Sequence, residues 1–162
     1  MPRNLNDSIP GAPNFKYKEF VRSDVAKRKG IDNTPEDWQW ENIERLAVSV
    51  LQPIRNQFGR IRITSGFRSV ELCLAIGSSA TSNHTRGEAA DVEPVDGDVT
   101  LTEILEWVDN NLEYRELIAE YFPDGWIHVA YRDGDNNRQL KLKDPSYDYA
   151  RVRLDLIRDL YA

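Results

Sequence analysis

The longest run of helical periodicity lies in NTPEDWQWENIERLAVSVLQPIRNQFG, where Trp38, Ile43, Leu46, Val50, Leu51, Ile54 and Phe58 fall on one face. Thr34 stands where a cap would, Pro35 takes the first helical position and Asp37 follows the cap by three residues, so a helix is predicted to open there and stop at Gly59. Pro53 lies inside it and lacks the N–H that would bond one turn back, which predicts a kink. Ahead of it, FKYKEFVRSDVAKRKG reads as one or two short helices closed by Gly30. Residues 1–14, rich in Pro, Asn and Gly, read as an extended arm.

Beyond Gly59 the period changes to two. RIRITSGF sets Ile61, Ile63 and Ser65 against Arg62 and Thr64, and AADVEP, WIHVAY and RQLKLK are further short strand candidates. Between them Thr100 and Glu103 form a capping box for a helix whose apolar face is Leu101, Ile104, Leu105, Val108 and Leu112. EYRELIAEYF continues or follows that helix, and YDYARVRLDLIRDLY reads as a closing amphipathic helix on Tyr149, Val152, Leu156, Ile157 and Leu160. Helices outside a block of short strands predict an α+β class with a small central antiparallel or mixed sheet. At 162 residues the chain suits one core, so residues 15–162 read as a single domain behind the arm.

Charge narrows the partners. The chain carries 27 acidic against 21 basic residues with no Lys/Arg stripe, which argues against nucleic acid, whose phosphates dominate such affinity. No apolar run approaches a membrane span, and the opening residues lack the apolar stretch of a secretory signal, so cytoplasmic synthesis without membrane insertion is expected. Cys73 is the single cysteine and reads as a small apolar residue, and the chain is expected to be a monomer.

The candidate chemistry rests on two histidines. Fully extended, the seven residues from His84 to Asp91 would span roughly 23 Å, so the two meet only if the chain folds back, which Gly87 permits. Alternation puts Asp91 on a strand face with Ala89 and Glu93, and His128 on one with Ala130. Two imidazoles and a carboxylate are a common catalytic zinc set that leaves a fourth position for water. Taken by spacing alone, the same residues also read as ordinary hydrogen-bonded side chains. DGDNNRQLKLKD offers Asp133, Asp135 and Asn137 at calcium-loop spacing, but Arg138 replaces the required Gly and Asp144 the closing Glu, so it reads as a polar hairpin turn.

SNHTRGEAAD resembles the S-x-H-x-x-G-x-A-x-D signature of the zinc D-alanyl-D-alanine carboxypeptidase family, which also holds vancomycin-resistance D,D-dipeptidases and phage L-alanyl-D-glutamate endolysins. ITSGFRS and GWIHVAY resemble two further segments of that family, and residues 15 to 131 resemble its compact phage and prophage branch. The resemblance implies a D,D-carboxypeptidase-like (hedgehog-like) fold with zinc held by His84, Asp91 and His128. It implies Arg68 at the scissile carbonyl and Ser82 near the substrate. The family often places an acid three residues before its last ligand, where this chain has Gly125. The base is then Glu120, which matches the recurrent Leu-Ile-x-Glu of the phage branch, with Asp124 as the alternative; taken by spacing alone, either also reads as a solvated helix-end charge. Cys73 and Ser78 stand where Asn and Gly are expected, on the substrate-side loop. The implied activity is hydrolysis of peptidoglycan peptides beside a D-amino acid, by an endolysin or a virion-carried enzyme acting at the cell wall. The alternative is an inactive wall-binding or virion structural module of the same fold.

Overall fold

The computed structural model describes residues 2–161. A hairpin of β1 (Ser8–Ile9) and β2 (Ala12–Lys16) opens the chain, with Gly11 at positive φ between its strands. Ile9, Ala12 and Phe15 are buried in the main core, so the segment expected to be an extended arm folds back on itself. Two short helices follow, α1 (Tyr17–Val21) and α2 (Asp24–Lys29), the second capped by Ser23 and ended by Gly30 in the left-handed conformation.

Helix α3 (Asp37–Leu46) starts two residues later than Thr34 and Pro35 predict. Glu36 is the cap: it forms a reciprocal box with Gln39, whose side chain accepts the Glu36 N–H at 2.7 Å. Trp40 is buried and packs edge-on to Tyr17, whereas Trp38 is 44% exposed. Trp40 lies three residues before Ile43 and so shares its face; Trp38, five before, does not. The predicted kink takes the form of a π-helical stretch, Ala47–Leu51, leading into α4 (Gln52–Phe58). Pro53 offers no N–H to the preceding turn, and the Gln52 N–H reaches the Ala47 carbonyl instead.

After β3 (Ile61–Ser65) and α5 (Val70–Ala75) come β4 (Ala89–Pro94), α6 (Leu101–Asn111), β5 (Glu116–Glu120), β6 (Trp126–Ala130), β7 (Gln139–Asp144), β8 (Tyr147–Arg151) and α7 (Leu154–Tyr161). The strands make one six-stranded sheet in the order β3-β4-β6-β5-β7-β8, antiparallel throughout except for the parallel pair β5–β7. The class is α+β with a mixed sheet. Ala90, Val92, Leu117, Ala119, Ile127, Val129 and Leu142 pack on one face with Ile43, Val50, Ile54, Ile104, Leu105 and Val108 from the helices. The other face is left for chemistry.

Three predicted elements change. The LIAE segment is strand β5, not helix, because a central position between β6 and β7 outweighs the helix propensity of Glu, Leu and Ala. The terminal helix begins only at Leu154, since residues 147–151 pair with β7. The turn at residues 131–138 is no hairpin, because β5 lies between the strands it joins; it is braced by the Arg115–Asp135 pair at 2.6 Å. No helix among the described residues is long and apolar enough to cross a membrane.

Candidate metal centre

His84 sits in a 3-10 turn, Asn83–Arg86, opened by Ser82, whose hydroxyl accepts the His84 N–H at 3.2 Å. Gly87 closes it at φ +72°, and a Cβ there would also run into the Gln39 carbonyl on α3, so glycine is required twice over. Gln39 and Asn42 donate to the Thr85 and Arg86 carbonyls, both at 2.9 Å, and pin the turn to α3. Buried Glu88 pairs with Arg86 at 3.2 Å and Arg132 at 2.8 Å, tying the turn to the end of β6. This turn supplies the reversal that brings His84 back over β4.

Asp91 and His128 are cross-strand partners on β4 and β6, and Ile118 of β5 stands opposite His128. The Gly66 carbonyl lies 2.6 Å from His84 Nδ1; that contact places the hydrogen on Nδ1 and leaves the Nε2 lone pair free. Asp91 Oδ1 lies 3.3 Å from His84 Nε2 and 3.0 Å from His128 Nδ1. One ligand atom from each residue falls within 4.8 Å of the others, all three residues are buried, and the group could hold a metal ion. Buried nitrogen and oxygen donors converging in this way fit a cation such as zinc.

Electrostatics within the group are steep. Burial lowers the pKa of His84, keeping that imidazole neutral. Burial alone would raise Asp91, but His84 and His128 hold it well below the ordinary carboxylate range. Burial would likewise lower His128, but its contacts with Asp91 and Glu116 outweigh this and raise it to about 10.

The group opens into a cleft of about 570 Å³ that Arg68, Ser82, Glu116, Glu120, Trp126 and Tyr149 also line. Arg68 donates to Asp91 Oδ2 at 3.1 Å and to Ser65 Oγ at 2.7 Å. Glu120 stands opposite Trp126 across the β5–β6 hairpin, 8% exposed, and burial, with the Asp91 charge behind it, lifts its carboxyl to about 7. Burial pushes Glu116 up too, but His128 and Lys141 bring it down to about 2. Asp124 is not brought here: it is exposed in the turn and lines a separate cleft with Thr100, Pro123 and Tyr161. Gly125 could not carry the acid expected there, since a Cβ would fall on the Glu120 carbonyl. Glu116 and Trp126 went unremarked in the sequence. Once ELIAE is a strand, alternation alone puts Glu116 on the face of Glu120 and His128.

A mixed sheet that holds two imidazoles and a carboxylate under a cleft with a second, near-neutral carboxyl belongs to the class of hydrolase-like metal sites. Peptidase M15 is the family whose model matches residues 13–130, a span well over half of the chain that includes His84, Asp91, Glu120 and His128, and the protein belongs to it. It is therefore a peptidase by family. No curated protein matches the chain.

Proposed function

We propose that the protein is a zinc-dependent peptidase, acting as a monomer, that hydrolyses peptidoglycan stem or cross-bridge peptides beside a D-amino acid. The carrying observation is Glu120, a buried carboxyl near neutrality in the same cleft as His84, Asp91 and His128. Zinc, when bound by those three, supplies Lewis acidity toward the scissile carbonyl and a water acidified for attack.

The remaining roles fall to the chain itself. Glu120 takes the proton of the attacking water at its carboxylate and returns it to the leaving amine, for which a pKa near working pH is the favourable one. Glu116, ion-paired with Lys141, stays ionised and cannot shuttle that proton. Arg68 lines the cleft, and its guanidinium holds the developing oxyanion. The Trp126 side chain lines the same cleft and offers a substrate an aromatic wall. Cys73 is buried with its thiol pKa pushed up, and Ser82 spends its hydroxyl on a cap, so neither serves as nucleophile. The cell-wall substrate rests on the likeness of the SNHTRGEAAD, ITSGFRS and GWIHVAY segments to the phage and prophage branch, and delivery from a phage or its virion would bring the enzyme to the wall. Zinc-loaded protein incubated with purified peptidoglycan should release peptides with new termini beside a D-residue, read by mass analysis. If neither a free amino acid nor a peptide with a new terminus is released after prolonged incubation, the reading is overturned.

A further inference from the structure

The reaction just described leaves Glu116 without a chemical step, yet its carboxylate touches both histidine-bearing elements. Oε1 lies 3.0 Å from His128 Nε2 and 3.4 Å from Asn83 Nδ2, the side chain next to His84. Oε2 accepts from Lys141 Nζ at 2.5 Å, across the parallel β5–β7 pair. Ile118 stands directly opposite His128, which sets Glu116 two residues along the same face of β5. The approach to His128 is close without being aligned, and Nε2 has no hydrogen-bond acceptor among the described residues. Glu116 is thus the carboxylate within reach of that ring hydrogen.

The tautomer follows from what each nitrogen faces. Without a cation, His128 Nδ1 donates its hydrogen to Asp91 Oδ1 at 3.0 Å; a cation bound beside Asp91 would take that hydrogen's place on Nδ1, and the remaining ring hydrogen then belongs on Nε2. A carboxylate on the far nitrogen of a ligating imidazole holds both tautomer and ring angle. Lys141 and Asn83 each hold a Glu116 oxygen, keeping the carboxylate beside the cation site and out of it.

We infer that Glu116 is a positioning residue of the metal centre: it holds His128 in the Nε2–H form with Nδ1 toward Asp91, couples that ring through Asn83 to the turn bearing His84, and is itself held by Lys141. This rests on the proposed metal site. The test is zinc affinity by competition with a chromophoric chelator, together with the visible spectrum of cobalt(II)-loaded protein. Glu116→Ala should weaken zinc binding by roughly 10- to 100-fold, the scale for removing such a partner. Glu116→Gln, which keeps an acceptor oxygen, should stay within a few-fold of wild type. Lys141→Met should shift the cobalt spectrum by freeing the carboxylate. Glu116→Leu replaces Glu116→Ala should the latter not fold, as judged by melting of the metal-free protein. Tight wild-type binding left unchanged by loss of the carboxylate, with an unaltered cobalt spectrum, overturns this inference alone. Wild-type protein that takes up no zinc overturns the peptidase reading along with it.

Discussion

Glu116 and Glu120 share one strand face and one cleft, yet their neighbours give them opposite chemistry. His128 and Lys141 bring the Glu116 carboxyl down to about 2, whereas Glu120 makes no ion pair among the described residues and burial lifts it to about 7. A base works when ionised, so kcat/KM should rise with pH along an acid limb governed by Glu120. A bound cation favours the carboxylate, which sets that limb at or below 7. Glu120→Gln should retain zinc, abolish the limb and lower kcat by roughly 10²-fold or more; Asp124→Asn, in its separate cleft, should leave the pH–rate profile as it is. The reverse ranking would transfer the role to Asp124. Arg68→Lys should keep fold and metal but lose turnover, because an ammonium cannot reproduce the fork that reaches Asp91 and Ser65 together; wild-type rates would remove Arg68 from the mechanism.

At the scale of elements, the β5–β6 hairpin is what delivers Glu120. Its turn has no room at Gly125, so Gly125→Ala should force the Glu120 carbonyl aside, costing about 2 kcal/mol or more in chemical denaturation and most of the activity. A contrasting change is Thr100→Ala at the α6 cap, where the Thr100 hydroxyl accepts the Glu103 N–H at 3.2 Å and lies outside the metal cleft. It should cost about 1 kcal/mol while leaving specific activity unchanged. A Gly125 variant as benign as the cap variant would show that hairpin geometry does not set Glu120.

For the whole molecule, the candidate ligands come from a turn and two strands, so a cation there braces elements far apart in sequence. Zinc at a hundred times its Kd should stabilise wild type by about 2.7 kcal/mol, read as a rise in Tm. His84→Ala and His128→Ala should lose that increment and Asp133→Ala, in the surface loop, should keep it. Loss of the increment in all three would point to general unfolding instead. Much of this was legible in the chain itself: the strands of AADVEP and WIHVAY, the α6 capping box, Gly87 as the site of reversal, and His84, Asp91 and His128 as a candidate set all follow from local period, turn chemistry and motif, which act over a few residues. Other features needed the folded molecule. ELIAE has helical propensity and becomes a strand because β6 and β7 flank it; Trp40 rather than Trp38 is buried by the phase of the packed helix; residues 8–16 fold back because the core takes Ile9 and Phe15. The chain's own pattern determined which faces are apolar and which side chains could ligate. Only tertiary structure decided that Glu120 is buried beside Asp91 while Asp124 is left in solvent, because burial and pairing depend on neighbours that strand order, not sequence distance, brings together.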